Sequence, residues 1–172
     1  MCCRLRDIES CLPFELLGFD SDNGHEFLNE DLLKHFHDRA RKVQFTRSRA
    51  YHKDDNAHIE GKNWTHVRQW LGYRRFENPR LVGLLNDLYK SEWRLFHNFL
   101  LPSVKLQAKK RAGSKIFKIH DAPKTPYQRV MDSKVVAPEV KEQLTQQLKN
   151  LNPFKLRKTI DEKIARIHKL AS

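Results

Sequence analysis

The chain has 172 residues and a formal charge of +12 at pH 7, and 39% of it is hydrophobic, with ten Phe and three Trp. That length and apolar content support a real core and argue against global disorder. The positive excess favours a polyanionic partner, with nucleic acid ahead of an anionic membrane because the cations do not crowd into one short juxtamembrane cluster.

No apolar run is long enough for a transmembrane helix, and Met1 to Asp7 lacks the apolar region of a secretory signal, so a cytoplasmic protein without a membrane partner is expected. The three cysteines, Cys2, Cys3 and Cys11, are an odd count with no C-x-x-C pair, which argues against a disulfide framework and against zinc. No H-x-x-x-H pattern occurs among the nine histidines; His35 and His37 read as surface positions of an amphipathic helix.

In chain order, Leu5, Ile8 and Leu12 recur at helical spacing before Pro13. Phe14–Phe19 is a short apolar run closed by Asp20-Ser21-Asp22-Asn23-Gly24, a buried strand that leaves Asp22 just past its end. Asn29 is a candidate cap for a helix with Glu30 and Asp31 in its first turn and Leu32, Leu33, Phe36 and Ala40 as its stripe. Val43–Phe45 reads as a second strand, and a strand–helix–strand unit implies parallel pairing. A helix is expected from about Asp55 to Tyr73. Asn78-Pro79 starts the next, whose stripe is Leu81, Leu85, Leu88, Leu95, Phe96 and Phe99, and Pro102 closes it. Lys105, Lys109, Lys110, Arg111, Lys115 and Lys118 then gather around Gly113, and Pro123 and Pro126 predict an extended linker. Pro138–Leu170 reads as a helical hairpin broken at Pro153.

Transfer of a phosphodiester by two divalent ions needs clustered carboxylates around metals about 4 Å apart. Oxygen ligands suit Mg²⁺. Asp22 at a strand end and Glu60 on a helix fit such a site. Each has an ordinary reading too: Asp-Asn-Gly is a turn sequence, and Glu60 is a solvated helix position.

Ser21-Asp22-Asn23-Gly24-His25-Glu26-Phe27 resembles the block around the second Asp of the DDE transposase and retroviral-integrase family. Tyr51-His52-Lys53 followed by Asp55-Asn56-Ala57 and Glu60 resembles the block around its catalytic Glu, and residues 23–59 make an interval close to the family's own. The likeness continues through Lys62-Asn63-Trp64-Thr65 and Arg68, then Asn98-Phe99, Pro102, Gly113-Ser114-Lys115 and Thr125-Pro126-Tyr127-Gln128-Arg129. It is closest to bacterial insertion-sequence transposases with an integrase core.

The resemblance implies an α/β fold: the C-terminal part of an RNase H-like integrase core with its first strands, and the first Asp, missing. A basic linker and a helical tail follow. The expected divisions are residues 1–102 for the partial core, 103–137 for the basic, Pro-containing linker and 138–172 for the helical segment. Asp22 and Glu60 would be catalytic and metal-binding, with Mg²⁺ or Mn²⁺ as cofactor. Asp20 is set aside because the block places Asp22 in that role.

The implied partners are DNA, as element ends and target, and a second copy or a full-length transposase. The implied activity is metal-dependent cleavage and strand transfer in the parent, with this chain inactive on its own. The alternative is a non-catalytic DNA-binding or oligomerisation fragment. Candidate DNA contacts are Lys53, Asn56, Lys62, Asn63, Trp64, Arg68, Lys109, Lys110, Arg111 and Lys115. Asn56 also reads as a helix cap, the cations as a solvated face, Trp64 as a core residue and the 105–118 run as a solubilising loop.

Overall fold

A computed structural model describes residues 2–21, 30–49 and 57–171, excepting the side chains of residues 2–4 and 57–59. The chain forms two compact units, Met1–Tyr73 and Arg74–Ser172. This differs from the expected boundary at 102. The helix after Asn78 joins the C-terminal helices, because its apolar stripe is covered by them.

The first unit begins with α1 (Cys2–Glu9), β1 (Gly18–Ser21), α2 (Glu30–His37) and β2 (Gln44–Arg47). β1 and β2 pair in parallel, with Phe19 opposite Phe45 and Asp20 opposite Thr46. Both strands start later than the apolar runs suggest. The Gln44 N–H donates to the Leu17 carbonyl, which begins the pairing, while the Val43 N–H turns back to the Phe36 carbonyl at 3.3 Å. Phe14, expected in the strand, precedes it and is exposed.

Glu30 and Asp31 occupy the first turn of α2 and Lys34, His35 and His37 its last, so charge opposes the helix dipole at both ends. The expected Asn29 cap lies outside the described residues. Leu32 and Phe36, four apart, bury one face with Leu5 and Val43, and Leu16, Phe19 and Phe45 pack around them. The Phe36 ring lies 5.0 Å from Phe19 and 6.0 Å from Phe45, and the last two stack at 5.8 Å. At the rim, Arg39 makes a fork to Glu9 with two bonds of 2.7 Å and ties α1 to the end of α2. Those bonds hold the Glu9 carboxyl below the usual range, against the opposing effect of its burial.

The unit closes with α3 (Ala57–Asn63), a π-helical turn at Trp64–Arg68, and α4 (Gln69–Leu71). Gly72, at φ 71, ends it. A residue with a Cβ resists that conformation, so glycine stops the helix here.

In the second unit, α5 (Arg80–Leu88) runs on through π-helical turns at Tyr89–Trp93 and Phe96–Leu100. Asn78 starts it as expected, its Oδ1 accepting the Arg80 N–H at 3.0 Å. Next come β3 (Leu106–Ala112), β4 (Lys115–His120), α6 (Pro126–Met131), α7 (Pro138–Lys149) and α8 (Pro153–Ala171). α8 packs on α5 and on the turns that extend it. Leu81, Leu88, Trp93, Phe99, Leu156, Ile160 and Ile167 are the buried apolar residues of this unit. The tail is therefore part of a core. Lys163 Nζ, 2.6 Å from both Asp87 Oδ2 and Glu92 Oε2, fixes α8 against that helix.

Where a linker was expected over 103–137, the structure has a β-hairpin and a capped helix. β3 and β4 are antiparallel, joined by Gly113 and Ser114, with Gly113 at φ 61. A two-residue turn needs that positive φ, which glycine supplies. Pro126 starts α6 rather than an extended segment. Thr125 accepts the Gln128 N–H while Gln128 accepts the Thr125 N–H, a reciprocal cap that satisfies two otherwise unbonded donors. Among the described residues no helix is long and apolar enough to cross a membrane.

Candidate functional site

β1 ends at Ser21, which is 2% exposed; its carbonyl accepts the Ser48 N–H at 2.9 Å. The strand alternates, with Phe19 and Ser21 turned inward and Gly18 and Asp20 outward. Asp20 accepts a 2.7 Å hydrogen bond from Thr46 Oγ1, its cross-strand neighbour. Its carboxylate therefore serves the strand pair. Asp22, Lys53 and Asn56 lie outside the described residues.

Glu60 stands in the first turn of α3, exposed. Its charge there favours the helix dipole, a structural role open to it apart from any chemistry. Lys62 and Asn63 are exposed on the same short helix. His66 follows on the π turn, its imidazole held below its ordinary range by burial and then by the charge of Lys62. Among the described residues no group of three or more His, Cys, Asp or Glu is placed to hold a metal ion. Glu60 alone is short of the oxygen set that Mg²⁺ needs.

Trp64 is 48% exposed, so it is not the core residue that helical spacing allowed. Its ring lies 6.4 Å from Tyr73, and the Arg68 guanidinium sits 5.0 Å from the Tyr73 ring centroid. Arg68 also donates to the Gly72 carbonyl at 3.4 Å. Arg68 thus folds over the end of its own helix. Tyr73 was not among the sequence candidates; it follows Gly72, where the chain leaves the helix.

Lys109, Lys110, Arg111 and Lys115 lie on the hairpin of the second unit, where every residue of both strands is exposed. Register places Lys109 opposite Lys118, Lys110 opposite Phe117 and Arg111 opposite Ile116. Lys118 joins the candidates through that register. Arg111 Nε donates to the Gly113 carbonyl at 3.1 Å and helps close the turn. At the base, Arg129 donates to Asp121 Oδ2 at 2.6 Å and to the Ser103 carbonyl at 2.7 Å. Asp121 Oδ1 accepts the Lys105 N–H at 2.6 Å. These bonds, with Arg129 first and the Lys105 amide next, lower the Asp121 pKa to about 2.

No protein-family model matches the chain. No solved structure matches it. It is similar to "Uncharacterized protein y4rM" of Sinorhizobium fredii (strain NBRC 101917 / NGR234), with 38% identity over 125 residues, 73% of this chain. The chain spans 35% of the length of that curated relative.

Proposed function

We propose that this chain is a portion of a DDE-type transposase or integrase catalytic core, of the kind carried by bacterial insertion sequences, and that its substrate is DNA. The whole protein would cleave phosphodiesters at element ends and join them to a target. Asp22 and Glu60 would be two of its three carboxylates. The observation that carries this reading is the parallel β1–β2 pair, which ends at Ser21 immediately before the Asp-Asn-Gly block. A carboxylate just past the end of a parallel strand lies where open α/β sheets place their chemistry. Glu60, exposed in the first turn of α3, leaves its oxygens available to a metal. In the proposed role the side chain acts only as an oxygen donor. The charge of +12 supports a polyanionic substrate.

Manganese provides the test, because its unpaired electrons broaden nuclear resonances nearby. Titrating Mn²⁺ into the chain should broaden amide signals around Ser21 and around Glu60 together. Glu60→Gln should weaken both effects. Broadening at neither segment would sink the reading. Nicked or joined element-end DNA, formed with Mg²⁺ or Mn²⁺ only when a second polypeptide supplies the missing strand and its Asp, and lost in Asp22→Asn and Glu60→Gln, would identify the chemistry itself; products from this chain alone would overturn the reading.

A second reading, a DNA-binding part without catalysis, is favoured by one feature: the cation-rich hairpin, which buries none of its side chains.

A further inference from the structure

We propose that the β3–β4 hairpin is an arm that enters the major groove of duplex DNA, with cations reaching the phosphates on either side. The choice of DNA as the polymer rests on the function proposed above; the arm itself is read from its register and exposure.

The register places Lys109 directly opposite Lys118. Like charges facing across a strand pair oppose hairpin formation. An isolated two-stranded ribbon with no buried face is marginal in water as well. Among the described residues no ion pair is made by Lys109, Lys110, Lys115 or Lys118. The arm carries unneutralised charge that a polyanion would satisfy.

Geometry selects the kind of polyanion. Side chains opposite one another share a face, so Lys109, Arg111 and Lys118 lie on one side and Lys110 and Lys115 on the other. A flat acidic surface would meet only one of these faces. A groove flanked by two phosphate strands meets both. With side chains on both faces the ribbon is about 10 Å thick, which the B-form major groove, about 12 Å wide, can admit. A-form RNA offers a major groove too deep and narrow for it.

The base is built to hold such an arm. Ser103 and Lys124 bridge the two ends of the hairpin segment, the Asp121 N–H donates to the Lys105 carbonyl, and Arg129 locks Asp121 and the Ser103 carbonyl together. An arm with a fixed root loses less freedom on binding than a loose segment would.

The experiment measures binding of the full chain to a labelled DNA duplex in EDTA, where metal-dependent chemistry cannot run, across a salt series. The triple variant Lys109→Gln, Lys110→Gln, Lys118→Gln should make the plot of log affinity against log salt shallower by about 0.9 for each phosphate that is no longer neutralised. The triple Arg variant at the same positions should keep the slope. A-form RNA duplex of the same sequence and vesicles containing phosphatidylserine should bind more weakly than DNA. In the unsubstituted chain, the Leu106–His120 amides should exchange more slowly when duplex DNA is added.

An unchanged slope in the Gln variant with its fold intact overturns the arm. So does unchanged exchange in the unsubstituted chain, or tighter binding to RNA or to vesicles. If the chain binds DNA without using the hairpin, the arm is removed and the proposed function stands. If the hairpin binds DNA but manganese broadens nothing at Ser21 or Glu60, the arm stands and the catalytic reading falls.

Discussion

The two units hold themselves together by different means. In the first, the buried cluster of Leu5, Leu32, Phe36 and Val43 closes around a strand pair of four residues each. Three phenylalanine rings do much of that packing, and the Arg39–Glu9 fork secures its rim. The second unit packs a 19-residue helix along α5 and its π-helical extension and adds Lys163 between two carboxylates. It then carries an arm with no buried side chain. The first unit thus stands on a few large rings. The second separates a long helical seam from an exposed, charged projection. The hydrogen-bonded root at Ser103, Asp121 and Arg129 lets the arm keep an unfavourable charge pattern that a hairpin alone would not hold.

The contrast is broken most severely at Phe36. Phe36→Ala removes a ring that is 2% exposed and touches both neighbouring rings. Truncations of this kind cost about 3–5 kcal/mol. Resonances of the first unit should lose dispersion while those of α5 and α8 stay in place; a fully dispersed spectrum at ordinary temperature would show that the ring cluster is not what holds this unit.

Ile160→Ala tests the helical seam. Ile160 is fully buried, and such a change costs about 2–5 kcal/mol. Denaturant unfolding followed at the amide signals of α8 should show a lower midpoint and a stability smaller by that amount. A midpoint within error of the unsubstituted chain would make α8 the appendage that its sequence suggests.

A smaller effect is expected at the root of the arm. Thr125→Ala removes the acceptor for the Gln128 N–H, and loss of such a cap costs about 1 kcal/mol. Thermal unfolding of the second unit should move down slightly, and Thr125→Ser should restore it. Equal melting of all three proteins would deny the cap a role.

The mildest test is acid. The Asp121 carboxyl is depressed to about 2 from the ordinary 3.8. A depressed carboxylate contributes stability that is fully present above the unfolded value and is lost as pH falls through the folded one. The root of the arm should therefore hold near neutrality and loosen as pH falls from about 4 toward 2. Carbon resonances of the Asp121 carboxyl, followed by pH titration, should show the low midpoint, and Arg129→Ala should raise it. A midpoint near 3.8 in the unsubstituted chain would remove the Arg129 bond from solution.

Much of the local structure is legible because periodicity is local. The Leu32–Phe36 stripe, the two strands, the Asn78 start and the break at Pro153 each follow from a few neighbouring residues. The sequence stripe of the α5 helix runs through Leu85, Leu95 and Phe96, yet Trp93 is the residue buried at 4% exposure. The cause is the π-helical turn at Tyr89–Trp93, which adds a residue to the turn and slides the buried face by one position. The hairpin is hidden in sequence because six cations and two prolines suggest a linker. Gly113-Ser114, followed by Ile116, Phe117 and Ile119, is the strand signal. The α5–α8 seam has no local mark at all, since nothing in either stripe names its partner. At the candidate site, the motifs supply Asp22 and Glu60. Thr46's bond to Asp20 and Tyr73's place beside Trp64 depend on strand pairing and on how the chain leaves its helix, which motifs do not encode.

The α5–α8 seam also sets a timetable for synthesis. Leu81 and Leu88 leave the ribosome well before Leu156, Ile160 and Ile167, the buried residues of the helix that packs on α5. At roughly 5–20 residues per second, the wait between Leu81 and Ile160 is on the order of 4–16 s. During that interval the apolar face of α5 has no lid, and a nascent chain in this state is a natural client for chaperones that grip exposed leucines. A ribosome halted before codon 156 would leave a product that can never hide this face, and cellular quality control would meet it as an unfinished protein.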